Sequence, residues 1–130
     1  MGQESQTKPV TVCVPVYNAA KFVDATLEHV AAQSHPAMRV VIAVDRSDDD
    51  SVERCRKRCA ADPRFGLVVH DKRIGWIENI NGLIARVETD DYCVLPHDDL
   101  IEPEYLTCLQ GGLDRNPNAA VAYTDIEAFG

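Results

Sequence analysis

Two adjacent carboxylates, Asp98 and Asp99, close the apolar run Tyr92-Cys-Val-Leu-Pro-His-Asp-Asp-Leu100. Side by side in a loop they repel one another, and a hard divalent cation shared with a phosphate relieves that repulsion. The plainer alternative is that Asp99 caps a helix beginning near Glu102-Pro103. A second acidic stretch, Asp45-Arg-Ser-Asp-Asp-Asp-Ser51, follows another apolar run. Asp50 has capping-box spacing to Glu53, whereas Asp45 sits directly where the run ends. Tyr17-Asn18 ends a third apolar run, and Asp71-Lys-Arg-Ile-Gly75 places two cations ahead of a glycine that opens a helical pattern. Lys72 and Arg73 would meet a diphosphate at that helix N-terminus, or form an ordinary charged loop.

All of these residues follow apolar runs that read as strands. Val10–Val16 is β-branched and continuous, the pattern of a central parallel strand covered on both faces. A helix follows, capped by Asn18, with Phe22, Val23, Leu27, Val30 and Ala31 on its apolar face and Asp24 and Glu28 opposite. Arg39–Val44 is the second strand, parallel to the first through a βαβ unit. A helix over 51–61, a strand over 65–70, and a helix from Gly75 with Trp76, Ile77, Ile80, Leu83, Ile84 and Val87 on one stripe come next, Trp76 reading as core. Tyr92–Leu95 is the fourth strand, 102–115 a helix carrying Leu106, Leu109 and Leu113, and Ala119–Thr124 a fifth strand. The pattern βαβαβαβαβ is that of an α/β sheet, whose ligands bind at the carboxyl ends of its strands. That is where Tyr17, Asp45 and the Asp98–Asp99 pair lie.

A chain of 130 residues with 45% hydrophobic and 26% charged residues is sized for one globular domain. Its formal net charge of −8 and pI near 4.8 argue against a nucleic-acid backbone or an anionic membrane surface as main partner. An anionic ligand must therefore be met by a metal, a helix N-terminus or a few placed arginines. No apolar run approaches membrane-span length, and residues 1–9 form a polar leader, so a cytoplasmic chain is expected. The five cysteines contain no C-x-x-C pair and read as reduced core residues rather than zinc ligands.

Taken in order, Val12-Cys-Val-Pro-Val-Tyr-Asn18, Asp45 with Ser47 and Asp50 behind it, Arg73-Ile-Gly75 with Asn81 on the next helix, and Leu95-Pro-His-Asp-Asp99 resemble the N-terminal half of family 2 glycosyltransferases. The resemblance implies a GT-A fold, a Rossmann-like three-layer sandwich with a mainly parallel sheet, over residues 10–130. It implies binding of a nucleotide-diphospho-sugar donor, with Mn2+ or Mg2+ assisting transfer, by inversion, to a sugar or glycan acceptor. It puts Tyr17 against the nucleobase, Asp45 in the base pocket, and Pro15 and Arg73 among the nucleotide-binding residues. Asp98 then lies near the ribose and the metal, and Asp99 binds the metal. His97 would lie on the donor-phosphate side, away from an acceptor hydroxyl, so no catalytic base is assigned.

Two positions depart from the family pattern. Arg46 stands where a second aspartate is usual, which leaves the nucleobase, UDP or another, open; Pro96 replaces the first acid of the common Asp-x-Asp-Asp pattern. The resemblance also implies an acceptor half that these 130 residues lack, with the sheet truncated after the fifth strand. A free edge on the fourth strand should then promote self-association and leave the acidic loop poorly ordered. A binding module without chemistry is the alternative function. A phosphoacceptor receiver would need acids after its first strand, where Tyr17-Asn18 stands, and a nucleotidyltransferase a glycine-rich phosphate loop there.

Overall fold

A computed structural model describes residues 7–129. Four strands, β1 (Val10–Val16), β2 (Met38–Val44), β3 (Phe65–Val69) and β4 (Asp91–Val94), form one sheet in the order β3-β2-β1-β4, with every pairing parallel. The helices are α1 (Val23–Ala31), α2 (Ser51–Ala61), α3 (Trp76–Ala85) and α4 (Tyr105–Arg115). β1 is central, as its unbroken apolar character demands, and runs in register with β2 from Val10 opposite Met38 to Val16 opposite Val44.

Strand periodicity divides the core into two layers. Val10, Val12, Val14 and Val16 pack with Val40, Ile42 and Val44 against Val23, Leu27 and Val30 of α1, Cys55 of α2 and Leu106 of α4. On the other face Cys13 and Ala43 meet Leu83 of α3. Hydrogen-bond direction alternates as well. The Cys13 carbonyl accepts from the Leu95 amide, so the odd residues of β1 address β4, while Val16 accepts from Asp45 on the β2 side. Pro15, with no N–H to give, falls on the β4 side just past the last β4 pairing at Val94, where a missing donor breaks no rung. The next odd residue is Tyr17, whose amide points toward the residues that follow β4.

Several expectations need correction. Residues 119–124 form no strand: they lie unpaired, with Val121 75% and Tyr123 89% exposed. Residues 120–122 instead border a groove of about 350 Å³ between β4 and α4, close to the free edge of β4. A segment is a strand only where it forms ladder bonds, and residues 119–124 form none, although the free edge of β4 lies close by. Trp76 is not core: it is 69% exposed and Ile77 is exposed with it, for although Trp76 shares the stripe of the buried Asn79 and Leu83 it stands at the first position of α3, a turn before that stripe becomes buried. Phe22 is exposed as well, one position before α1. Asn18 does not cap α1, which starts five residues later; it sits at φ 44° and its side-chain oxygen accepts the Asp48 amide at 2.8 Å. Asp50 gives α2 no side-chain cap and binds Arg54 Nε at 2.9 Å, while Asp49 accepts from the Ser51 amide at 3.0 Å.

All five cysteines are free, with Cys13 and Cys55 buried and Cys108 exposed rather than core. Burial pushes the thiols of Cys13 to about 11 and of Cys55 and Cys93 to about 12, so these three stay protonated and unreactive at neutral pH. No helix among the described residues is long and apolar enough to cross a membrane.

Candidate functional site at the carboxyl ends of the strands

Asp45 follows β2 and is buried, its side chain 2% exposed. A charged carboxylate in that position needs its oxygens filled, and they are. Oδ1 accepts the amides of Arg46 and Ile74, each at 2.9 Å; Oδ2 accepts the Gly75 amide at 2.9 Å and Arg73 Nε at 3.1 Å. Burial by itself would raise this pKa. The amides of Ile74, Arg46 and Gly75, with the Arg73 guanidinium, outweigh burial and hold the carboxyl below its ordinary value. The carboxylate thereby shapes the turn between β3 and α3. Gly75 sits there at φ 86° and ψ 160°, a region essentially restricted to glycine, and no atom lies where a Cβ would go. Glycine is thus required by the backbone conformation rather than by crowding.

The same turn aims Arg73. Its guanidinium carbon lies 3.7 Å from the centroid of the Tyr17 ring, a cation–π contact, while Nε stays on Asp45. Tyr17, Asp45 and Arg73, drawn from the ends of β1, β2 and β3, are therefore in one contact cluster. Asn79, one turn into α3, fixes that helix to the sheet by donating to the Ala43 carbonyl at 2.9 Å; its Oδ1 is buried without a partner. Asn81, the residue singled out from sequence, is exposed.

The β1–α1 and β2–α2 loops interlock behind this cluster. The Asn18 amide donates to Ser47 Oγ at 3.0 Å, Ala19 to Ser51 Oγ at 2.8 Å and Ala20 to Asp49 Oδ2 at 3.1 Å. The hydroxyl-rich acidic stretch is thus partly a framework that holds the exit of β1. From the other side, His97 meets the same exit: its Nδ1 lies 3.4 Å from the Tyr17 amide, which donates to it. The nitrogen that faces β1 is therefore the acceptor, and the ring is turned toward the cluster.

Asp98 and Asp99 follow with both side chains open to solvent. Their loop is tied down, contrary to the expectation of poor order. Thr26, fully buried on α1, places its hydroxyl 2.8 Å from the His97 carbonyl and 2.9 Å from that of Asp99. His29 Nδ1 lies 2.9 Å from the Ile101 carbonyl, which only accepts, so Nδ1 carries the hydrogen. Gln33 donates to the Glu102 carbonyl at 2.6 Å and accepts the Leu106 amide at 3.0 Å. Sequence reading missed Thr26, His29 and Gln33. The available signal was their spacing of three and four, which puts Thr26 and His29 on one side of α1 and Gln33 in line with them just past its end.

Among the described residues no three His, Cys, Asp or Glu side chains converge as a metal cage. Two exposed carboxylates fit the hard cations Mg2+ and Mn2+, which are commonly held by one or two carboxylates together with substrate phosphates.

Asp45 generates a stability prediction. Because its pKa is lowered on folding, its contribution is complete above the ordinary value near 3.9 and disappears as pH falls through the lower folded value. Asp45→Asn turns an NH2 toward buried donors and should cost about 2 kcal/mol at pH 7, with a flatter loss of stability in acid. Urea unfolding of both proteins from pH 7 to pH 3 measures this; equal stability at pH 7 would contradict the role given to the carboxylate.

Comparisons with known proteins agree with this architecture. The family model for glycosyl transferase family 2 matches residues 11–128. An uncharacterized protein of Sinorhizobium fredii, y4gI, is 34% identical over 119 residues, 89% of this chain and 13% of that protein. Glycosyltransferase GlyG of Streptococcus pneumoniae is 23% identical over 77% of this chain and 33% of its own length. The structure of S. aureus TarS 1–349 in complex with UDP matches with a TM-score of 0.77 at 22% identity, over 84% of this chain and 33% of that one. The mannosyltransferase PcManGT from Pyrobaculum calidifontis, in complex with GDP-Man and Mn2+, matches with a TM-score of 0.68 at 24% identity, over 74% of this chain and 29% of that one. This chain spans 33% or less of each of these proteins. The fold is the α/β GT-A fold, and the chain belongs to glycosyl transferase family 2.

Proposed function

We propose that this chain forms the donor-binding part of a metal-assisted, inverting glycosyltransferase, which holds a nucleotide-diphospho-sugar at the carboxyl ends of β1, β2 and β4. The observation that carries the reading is the convergence of Tyr17, Asp45 and Arg73 in one cluster, to which His97 joins the acidic loop. In this reading Tyr17 lies against the nucleobase, with Pro15, Asp45 and Arg73 lining its pocket. Asp98 serves the ribose and the metal, and Asp99 is the principal metal ligand. A cation bound there, Mn2+ or Mg2+, would neutralise charge that develops on the departing diphosphate. PcManGT, a structural neighbour, is known with GDP-Man and Mn2+, and TarS with UDP and with UDP-GlcNAc, which supports a nucleotide-sugar donor without choosing its base. With Asp45 already filled by four donors and Arg46 beside it, base choice falls to whichever groups Arg73 and Arg46 present.

The general base for the acceptor hydroxyl lies outside this cluster. His97 is a poor candidate, because its Nδ1 is directed at the Tyr17 amide. Binding without turnover is the alternative for these residues alone, and it shares every contact named here.

The outer edge of β4 carries no strand among the described residues, and the same proposal includes self-association through it. Light scattering over a concentration series should show a mass that rises with concentration; a constant monomer mass would rule this association out. Donor binding itself is read by calorimetry with GDP and UDP, with and without Mn2+. At least one nucleotide should bind more tightly with the metal, and Asp99→Asn should reduce that gain by roughly tenfold or more. Binding that ignores both Mn2+ and the substitution would contradict the metal assignment.

A further inference from the structure

The acidic pair lies in an irregular segment between β4 and α4, and exposed side chains there gain no rigidity from packing. What holds this segment comes from α1. The Thr26 hydroxyl reaches both the carbonyl that enters Asp98, that of His97, and the carbonyl that leaves Asp99. Its single hydrogen, shared between these two accepting oxygens, ties together the peptide planes on either side of the two carboxylates. A further turn bond, from the Asp99 amide to the Pro96 carbonyl at 3.3 Å, closes the loop beneath them. His29 and Gln33 hold only the positions farther on, Ile101, Glu102 and Leu106. Thr26 has no solvent exposure, so its hydroxyl serves neither water nor an exposed ligand. A buried hydroxyl placed against two carbonyls that bracket two candidate metal ligands is an outer-shell arrangement, in which one group sets the reach of others.

We infer that Thr26 is a positioning residue for the metal and diphosphate site, acting through the loop backbone to set where the Asp98 and Asp99 carboxylates meet the cation. This rests on the donor-binding function proposed above and adds to it a residue on a helix that touches no ligand. Replacement of Thr26 by valine keeps the volume and branching but removes the donor, whereas serine keeps the donor. If Thr26 only filled space, valine would be the milder change. If it positions the loop, serine would be.

The test uses the full chain as wild type, Thr26→Val, Thr26→Ser and Thr26→Cys, the last replacing the hydroxyl of the serine variant by a weaker-donating thiol. Two quantities are measured: amide hydrogen exchange of residues 97–101 without ligand, and the affinities for GDP and UDP with Mn2+ and with EDTA. The valine variant should exchange faster at residues 98–100 and lose roughly tenfold to a hundredfold of its Mn2+-dependent affinity, with affinity in EDTA unchanged. Serine should restore both quantities, and cysteine should fall between. A folded valine variant with wild-type Mn2+ dependence overturns the inference, as does one whose affinity falls equally with and without the metal. Should valine prevent folding, a folded cysteine variant with wild-type Mn2+ dependence overturns it, and a partial, serine-rescued loss supports it. A wild-type chain whose nucleotide affinity does not respond to Mn2+ overturns the function proposed above and this role with it. That outcome is recognisable because it appears before any substitution is made.

Discussion

A charged carboxylate inside a protein is tolerated only when its oxygens are fully engaged, and the buried Asp45 obeys that constraint with four donors. Three of those donors come from consecutive residues, Arg73, Ile74 and Gly75, so satisfying one side chain dictates the path of a whole turn. Gly75 accepts the unusual backbone conformation which that path demands, and α3 starts from it. Arg73 is fixed at its Nε and left with its planar face on Tyr17. The aromatic end of β1, the acid end of β2 and the cation after β3 thus form a unit because of one buried charge.

The acidic loop after β4 is organised by a different device. α1 packs Val23, Leu27 and Val30 into the core and, on an adjoining side, lays Thr26 and His29, with Gln33 just past its end, along the backbone of residues 97–106. The burial of α1 therefore does two things at once: it covers the sheet and anchors the segment that carries Asp98 and Asp99. His97 links the two devices, since its side chain meets the amide of Tyr17 while its carbonyl is held by Thr26. The two halves of the site are coupled by backbone groups, which leaves the exposed carboxylates free for a ligand.

The parts of this organisation that were legible in the sequence are those set by local pattern. The continuous apolar run of β1, the two-residue period that splits its side chains between layers, and the ends of β1 and β2 at Tyr17 and Asp45 follow from residue type and spacing, while β4 lies one residue earlier than the expected Tyr92–Leu95. What escaped depends on partners distant in sequence. Trp76 has the right helical phase for burial, yet it is the first residue of α3, and the stripe it shares is buried only from Asn79, which donates to the Ala43 carbonyl, onward. Ala119–Thr124 has strand composition, but a strand exists only where ladder bonds form, and this segment forms none with the free edge of β4 nearby. Asp50 gives α2 no side-chain cap, its carboxylate being on Arg54, while Asp49 takes the Ser51 and Ala20 amides across the loop. Thr26 and Gln33 looked like ordinary helix residues because the carbonyls they hold are about seventy positions away.

In the function we propose, the ends of β1, β2 and β4 form one metal-dependent nucleotide site. Paramagnetic broadening of backbone amide resonances by Mn2+, with GDP or UDP present, tests it most directly, because the effect falls steeply with distance from the ion. The account predicts the strongest broadening at residues 97–100, with a weaker effect reaching Tyr17 and residues 73–75, and its loss when Mg2+ replaces Mn2+. Broadening centred on the exposed acids Asp48–Asp50, or none beyond what Mn2+ produces without nucleotide, would contradict it.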